Sequence, residues 1–263
     1  MKNINETIKQ ELQKLEQEEN VQILYACESG SRAWGFPSQD SDYDVRFIYI
    51  RPVEWYLSIF NKRDVIERPI NDMLDISGWD LQKTLRLFRK SNPPLMEWLQ
   101  SPIGYVETSS VAERLRELRS VAFSPKASVY HYLHMANGNY RTYLQRDSVR
   151  VKKYFYVLRP ILACDWIIRF GTLPPIEFEK LADEMMPEDG VLRGIVKEML
   201  ARKRAGEELD YEPRIALLNE FIEEKLTSLA ETAASMPAAA TNADEMLDPL
   251  FRSALNEVWG ARS

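Results

Sequence analysis

The stretch ESGSRAWGFPSQDSDYDVRFIYI, from Glu28 to Ile50, decides how the chain folds, because it contains a turn-rich loop followed by a strand. Its first part is dense in Gly, Ser, Pro and Asp, which are typical of loops. Its last seven residues, Asp44 to Ile50, are rich in β-branched and aromatic side chains and predict a strand. The apolar run Val21 to Cys27 directly before the stretch predicts another strand. The order is therefore strand, loop, strand.

The elements on either side extend this α/β pattern. The first twenty residues carry apolar side chains at helical spacing among charged ones, which predicts an amphipathic helix. After the stretch, Pro52 begins a predicted short helix. Two further strands are predicted at Asp64 to Arg68 and at Asp72 to Ser77.

The rest of the chain has a helical pattern. Ser77 and Asp80 are spaced as in a capping box, and apolar residues follow at helical spacing. Further helices are predicted at 94–100, 111–119, 125–145, 149–169, 176–186, 191–204, 212–230 and 243–258. The sequence thus predicts an α+β protein with an α/β domain over residues 1–105, a hinge at 101–104 and an all-α domain over residues 106–263.

Composition narrows the functional classes. The chain has 263 residues, a formal net charge of −6 and 45% hydrophobic residues, as expected for one or two globular domains. The acidic balance argues against a protein that coats long nucleic acids, because such binding depends on Lys and Arg. No apolar run approaches the roughly 20 residues that span a bilayer, and the polar N-terminus is unlike a secretory signal. We expect a cytoplasmic protein without a membrane partner.

The metal-binding residue types His and Cys are few. Cys27 and Cys164 lie in apolar runs without a partner at metal-site spacing, so we interpret both as reduced core residues. His131 and His134 are three residues apart and have no third ligand nearby in sequence, which favours a structural role.

Carboxylates and a Gly-Ser turn carry the chemical signal. Asp42 and Asp44 are two residues apart at the start of a predicted strand, so their side chains should point to one face. Two such carboxylates suit Mg²⁺, and a second ion would need a third carboxylate. Gly30 and Ser31 follow the preceding strand, and a Gly-Ser turn offers N–H groups and a hydroxyl to an anion.

The combination resembles a known superfamily. Gly30-Ser31, ten intervening residues and Asp42-Tyr43-Asp44 are similar to the hallmark of the DNA-polymerase-β-type nucleotidyltransferases. Together with the later stretches LDISGWDLQK and KKYFYVLRP, the pattern resembles more closely the RNA-ligase-associated, or RNA repair pathway, nucleotidyltransferases. The resemblance covers most of the chain to about Arg169.

The resemblance implies a small mixed sheet followed by a helical domain, and transfer of a nucleoside monophosphate from an NTP to a hydroxyl with release of pyrophosphate. It implies that Asp42 and Asp44 bind two Mg²⁺ or Mn²⁺ ions. The third carboxylate would lie on a neighbouring strand, where Asp75 is the first candidate and Asp72 the second. An RNA end is the expected acceptor.

The resemblance also implies a nucleotide pocket made by both domains. The triphosphate would be held by Gly30, Ser31 and Arg32. A Lys and an aromatic residue of the helical domain would complete the pocket, and the candidates are Lys152, Lys153, Tyr156 and Arg159. Lys152 and Tyr156 are four residues apart and Tyr156 and Arg159 are three apart, so they share one face of a basic helix.

Several alternatives stay open on the sequence alone. The chain could transfer the nucleotide to a protein, or it could bind nucleotide without turnover as a regulatory module. Glu28 fits either a functional role or an ordinary charge at the end of a strand. Asp40 is interpreted as a loop or capping residue, and the basic segment around Lys153 also fits a solvated helix face.

Overall fold

The structure is a computed structural model that describes residues 4–38, 41–71, 73–187, 190–207, 209–237 and 243–260. It divides into two compact units. Unit 1 comprises residues 1–33, 42–122 and 241–263, and unit 2 comprises residues 34–41 and 123–240. The units do not follow a single boundary near residue 105, because the end of the chain belongs to unit 1 and a short early segment belongs to unit 2.

Strands make up a smaller part of the described chain than helices. They are β1 (Gln22–Glu28), β2 (Tyr43–Ile50), β3 (Val65–Asn71), β4 (Leu74–Asp80), β5 (Gly104–Glu107), β6 (Ser148–Arg150) and β7 (Tyr211–Pro213).

Helices flank the strands and form most of unit 2. They are α1 (Ile4–Glu19), α2 (Gly30–Ala33), α3 (Val53–Tyr56), α4 (Leu81–Arg89), α5 (Pro93–Trp98), α6 (Val111–Ala122), α7 (Pro125–Tyr143), α8 (Lys153–Phe170), α9 (Phe178–Met185), α10 (Val191–Arg204), α11 (Ala216–Ser235) and α12 (Asp244–Trp259).

Unit 1 is built on a mixed sheet. In the described ranges its strand order is β3-β4-β2-β1-β5. The central pair β2 and β4 is parallel, whereas β1 pairs antiparallel with both β2 and β5, and β3 pairs antiparallel with β4. The α+β fold expected from the sequence is confirmed.

The two faces of the central strands have different roles. Val45 and Phe47 of β2 and Ile76 of β4 are fully buried in one core cluster, together with the apolar side chains of α1. Side chains alternate between faces along a strand, so Asp44 and Asp75 lie on the opposite face. The apolar positions thus determine which side of the sheet carries the carboxylates.

The C-terminal helix α12 packs in unit 1. Leu250 is fully buried, and the Phe251 ring meets Tyr56 at a centroid distance of 5.0 Å. Arg89 of α4 makes two hydrogen bonds to Asp244 at 2.6 and 2.5 Å. Although the helix pattern of α12 was predicted, its return to the α/β part was not.

Unit 2 has its own core around α7, α8 and α11. Its interior is apolar, and two buried hydrogen bonds of Asn219 link its helices. The Tyr154 hydroxyl donates to Asn219 Oδ1 at 2.6 Å, and Asn219 Nδ2 donates to the Leu144 carbonyl at 2.9 Å. Phe36, from the segment 34–41, packs against Phe155 in this core, with ring centroids 4.9 Å apart.

The helix start expected at Ser77 is wrong. β4 continues to Asp80, because residues 74–80 pair along their whole length with β2. Asp80 is the N-cap of α4, and its carboxylate accepts a hydrogen bond from the Gln82 N–H at 2.8 Å. Long-range pairing with β2 therefore overrides the local capping pattern.

Three short strands were also missed. β5 begins at Gly104, the last residue of the expected hinge, and forms an edge of the sheet. β6 and β7 pair with each other and occupy residues that were expected to begin helices. Each of these strands has only three or four residues, so little periodicity marks it, and each is stabilised by a distant partner.

Within the described residues, the structure contains no helix with the length and apolar character needed to span a membrane.

Candidate active site

The parallel pairing of β2 and β4 brings two of the predicted metal-binding carboxylates together. Asp44 and Asp75 are direct register partners on the adjacent strands. Asp42 is exposed and lies two residues before Asp44. Burial raises the pKa of Asp44, and the charges of Asp42 and Asp75 raise it further. Asp42, Asp44 and Asp75 are called the carboxylate cluster below. The second candidate for the third carboxylate, Asp72, lies outside the described residues, as does Asp40.

Burial has the largest effect on Asp44. It raises the pKa of this carboxyl, because the charged form loses water. The neighbouring Arg46 guanidinium opposes that rise. Asp44 therefore holds a proton more readily than an ordinary aspartate, and a cation that binds it competes with that proton.

Gly30 allows the loop after β1 to approach Asp44. Its φ is +60°, in the left-handed region, and a Cβ on this residue would overlap Asp44 Oδ2. The Ser29 N–H also donates to the Asp44 carbonyl at 2.8 Å. The glycine of the motif is thus required by both backbone conformation and space.

Glu28 supports the same strand end from the other side. It is fully buried, accepts a hydrogen bond from the Asp44 N–H at 2.8 Å, and accepts another from the Tyr105 hydroxyl. Burial raises the pKa of Glu28, and its two hydrogen bonds oppose that rise. Of the two roles that the sequence left open, the contacts favour positioning of Asp44. The signal in the sequence was a charged residue at the end of an apolar run.

Ser31 and Arg32 belong to the short helix α2, which begins at Gly30 in a segment expected to be a loop. The Arg32 guanidinium lies 3.7 Å from the centre of the Tyr43 ring, and its Nε donates to the Asp42 carbonyl at 3.1 Å. Ser31 is buried. The two contacts of Arg32 connect α2 to the start of β2.

Arg46 is the basic residue of this face, and sequence reasoning missed it. Its Nη2 lies 3.0 Å from Asp44 Oδ1 and 2.9 Å from Asp75 Oδ2. It could have been found from its position, because it follows Asp44 by two residues and so shares its face.

The donor set agrees in type with divalent metals, since carboxylate oxygens are the ligands that Mg²⁺ and Mn²⁺ prefer. Among the described residues, however, no group of three or more His, Cys, Asp or Glu side chains is already gathered tightly enough to hold a metal ion. Asp44 and Asp75 are instead joined through Arg46.

Comparison with known proteins identifies the family. A family model described as the RNA repair pathway DNA polymerase beta family matches residues 4–253. The chain belongs to this family. The resemblance noted in the sequence is confirmed, and the match extends beyond residue 169 almost to the end of the chain.

The individual relatives give less information about function than the family does. The chain is 55% identical over 249 residues to the uncharacterized protein YcgL of Bacillus subtilis (strain 168), with 95% of each chain covered. Among solved structures, a nucleotidyltransferase-like protein from Exiguobacterium sibiricum 255-15 is 12% identical, with a TM-score of 0.31 over 87% of this chain and 75% of that one.

The remaining site candidates of this RNA repair pathway family member lie in unit 2. Lys153 Nζ is 4.8 Å from the centre of the Tyr156 ring, and that ring meets Trp34 edge-on at 5.4 Å. Arg159 is 2% exposed, with its guanidinium 4.7 Å from the Trp34 ring centre and its Nη2 donating to the Ile176 carbonyl. Arg159 is thus part of the packing of unit 2. The nucleotide-binding roles of these three residues stay predictions.

Proposed function

We propose that the protein is a metal-dependent nucleotidyltransferase that transfers a nucleoside monophosphate from an NTP to a hydroxyl, and that this hydroxyl is on an RNA end. The observation that carries the proposal is the direct pairing of Asp44 with Asp75, beside Gly30, in a member of this family. The RNA acceptor is supported by the family description, which places the family in RNA repair.

The reaction is a substitution at the α-phosphorus of the NTP. The acceptor oxygen forms a bond to this phosphorus, the bond to the β-phosphate oxygen breaks, and pyrophosphate leaves with the bonding electrons. The acceptor hydroxyl loses its proton to the surrounding water. Because the substrate carries about four negative charges near neutral pH, the acidic cluster can approach it only with cations between them.

The carboxylate cluster would hold these cations. Asp42 and Asp44 would contact both, and Asp75 would contact the one nearer the acceptor. Two Mg²⁺ or Mn²⁺ ions held there would stabilise the negative charge on the attacking oxygen and on the leaving pyrophosphate. Because the pKa of Asp44 is raised by its burial, cation binding should begin to weaken at a higher pH than it would with an ordinary aspartate as the solution is acidified.

The remaining residues would position the nucleotide. Gly30, Ser31 and Arg32 would receive the triphosphate, because the turn offers N–H groups and a cation beside Asp42. In unit 2, Lys153 would add charge and Tyr156 would offer a ring to the base. Arg159 would act by holding Trp34 in the packing next to Tyr156.

The test is transfer of label from each of the four α-³²P NTPs to total small RNA and to protein, with Mg²⁺ or Mn²⁺ present. We expect labelled RNA that resists protease and is lost on ribonuclease treatment. Asp44→Asn and Asp42→Ala should reduce the rate at least about a hundredfold, which is typical of removing one electrostatic group from an active site.

Asp64→Asn is the matched control. Asp64 directly precedes β3, and its carboxylate is paired with Lys83 at 3.0 Å near the far end of β4, so its loss should leave the rate within about twofold. Label found in protein instead of RNA would contradict the RNA acceptor. Absence of transfer with every NTP and both acceptor pools would contradict the proposal as a whole.

A further inference from the structure

Arg46 makes its contacts through both terminal nitrogens of its guanidinium, Nη1 and Nη2. Nη2 reaches one carboxylate oxygen on each of two strands, Asp44 Oδ1 at 3.0 Å and Asp75 Oδ2 at 2.9 Å. Nη1 donates to the Val45 carbonyl at 3.1 Å and to the Asp75 carbonyl at 3.4 Å. The Arg46 side chain is 19% exposed. It is therefore a fixed part of the sheet face.

This position has an electrostatic reason. Register partners on adjacent strands are separated by only about 5 Å between backbones, so two carboxylates there repel each other. Asp44 is three-quarters shielded from solvent, where water screens that repulsion poorly. A guanidinium between the carboxylates offsets the repulsion and satisfies one oxygen of each.

A divalent cation at this site would bind the same two carboxylates as Arg46. Mg²⁺ binds its ligands at about 2.0–2.1 Å in a nearly octahedral arrangement. One nitrogen of Arg46 is already bonded to Asp44 Oδ1 and to Asp75 Oδ2, and it carries charge of the same sign as the metal. A divalent ion that binds Asp44 Oδ1 and Asp75 Oδ2 would therefore displace Arg46 from at least one of these oxygens.

We propose that Arg46 is a built-in competing cation of the metal site. It holds Asp44 and Asp75 in register when no divalent ion is bound, and it must release at least one of them when the ion enters. The inference rests on the proposed function, because it takes the carboxylate cluster as the metal site. It makes Arg46 a positioning residue that sets metal affinity through an exchange of positive charges.

A purely structural role for Arg46 makes a different prediction. If the guanidinium only stabilised the sheet, its removal would lower Tm and leave metal affinity unchanged. If it competes with the ion, removal lowers Tm without metal and also tightens metal binding. Metal affinity and the metal-dependent change in Tm therefore separate the two roles without any measurement of transfer.

The experiment compares wild type with Arg46→Met in the full chain. Mn²⁺ affinity is measured by the loss of the free-ion electron paramagnetic resonance signal, and Tm is measured in EDTA and in saturating Mn²⁺. We expect Arg46→Met to bind Mn²⁺ about tenfold more tightly, the factor corresponding to one hydrogen bond to a charged group. We also expect a lower Tm in EDTA and a larger gain in Tm with Mn²⁺ than in wild type.

Arg68→Met is the matched control. Arg68 is also an arginine of the sheet that bridges two carboxylates, Glu18 and Glu19, but these lie on α1. Its loss should lower Tm and leave Mn²⁺ affinity unchanged. If Arg46→Met does not fold, Arg46→Gln takes its place, since it keeps a polar head without the charge.

The possible outcomes distinguish a failure of the role proposed for Arg46 from a failure of the proposed function. Unchanged or weaker Mn²⁺ binding by the Arg46 variant, with wild type binding normally, would overturn the competing role. Wild type that binds no Mn²⁺ would instead overturn the metal site of the proposed function. Tighter binding by both Arg46→Met and Arg68→Met would assign the effect to net charge and would also overturn the inference.

Discussion

At the scale of single residues, two groups determine where the Asp44 carboxylate lies. Gly30 leaves room for one of its oxygens, and Glu28 holds its backbone N–H. Neither residue needs to touch a substrate to affect the site. Their substitutions are therefore informative about geometry, because they move Asp44 without removing its charge.

Gly30→Ala should displace Asp44 and reduce transfer at least about a hundredfold. It should also cost about 1–3 kcal/mol of unfolding free energy, because φ is +60° and the new Cβ overlaps Asp44 Oδ2. Denaturant titration and the labelled-NTP assay measure the two effects. Gly171→Ala is the control, since Gly171 has φ of +65° with open space around its added Cβ, so it introduces backbone strain alone. Equal activity loss in both variants would contradict the overlap argument.

Glu28→Gln should raise stability at neutral pH and have little effect in acid. Burial raises the pKa of Glu28, so folding favours its protonated form. The resulting loss of stability in wild type develops as pH rises from the unfolded Glu value, about 4.3, through the higher folded value. Glutamine can still accept from the Asp44 N–H and carries no charge. Melting curves at several pH values between 4 and 8 test this.

Glu107→Gln is the matched control for that pH series. Glu107 lies on the more exposed edge strand β5 and forms an ion pair with Arg116. Its substitution removes this pair, so it should not raise Tm at neutral pH. A Glu28→Gln variant whose Tm follows wild type at every pH would show that burial of the Glu28 charge does not limit stability.

At the scale of elements, the junction between β4 and α4 shows how sheet pairing overrides a local pattern. Asp80 closes the strand, caps the helix and accepts a hydrogen bond from the Tyr56 hydroxyl at 2.8 Å. Ser77, the cap expected from the sequence, pairs with Arg46 within the ladder. The strand ends where its parallel partner ends, and the helix begins only there.

Asp80→Ala should destabilise the protein by about 2–4 kcal/mol, because it removes the N-cap and leaves the half-buried Tyr56 hydroxyl without its acceptor. Asp80→Asn keeps an acceptor and should lose less. Ser77→Ala should change the unfolding free energy by less than about 0.5 kcal/mol. Denaturant unfolding of the three variants checks the order, and a larger loss for Ser77→Ala than for Asp80→Ala would contradict the assignment of the cap.

At the scale of the whole molecule, unit 1 is completed by the two ends of the chain. α1 covers one face of the sheet, and α12 packs against α4 from more than 150 residues away in sequence. Unit 2 is inserted between them and has a separate core. The catalytic and helical roles expected for residues 1–105 and 106–263 stay predictions, and α12 belongs spatially with the sheet.

Leu250→Ala should therefore weaken unit 1, although it lies near the C-terminus. The side chain is fully buried, and such truncations cost about 2–4 kcal/mol. Hydrogen exchange should accelerate in α4, with little change in α7 and α8. The control is Leu217→Ala on α11, where the side chain is 50% exposed and the expected loss is small. Faster exchange in unit 2 alone would contradict the assignment of α12 to unit 1.

Much of the fold followed from local patterns. The strands β1, β2 and β4 and most long helices were predicted to within a few residues, because each carries enough apolar or β-branched residues to show its period. β5, β6 and β7 were missed, since each is short and depends on a distant partner. The α+β class, the family and the Gly30, Asp42 and Asp44 motif were all available from the sequence.

The sequence by itself determined the order of the motif and its place between two strands, because these depend on neighbouring residues. Only the tertiary structure decided that Asp75 pairs with Asp44 and that Arg46 joins their carboxylates. It also decided that Glu28 accepts a hydrogen bond from the Asp44 N–H. The physical reason is register. A parallel pair brings together residues about thirty positions apart, and a shift by one residue would turn Asp75 to the apolar face.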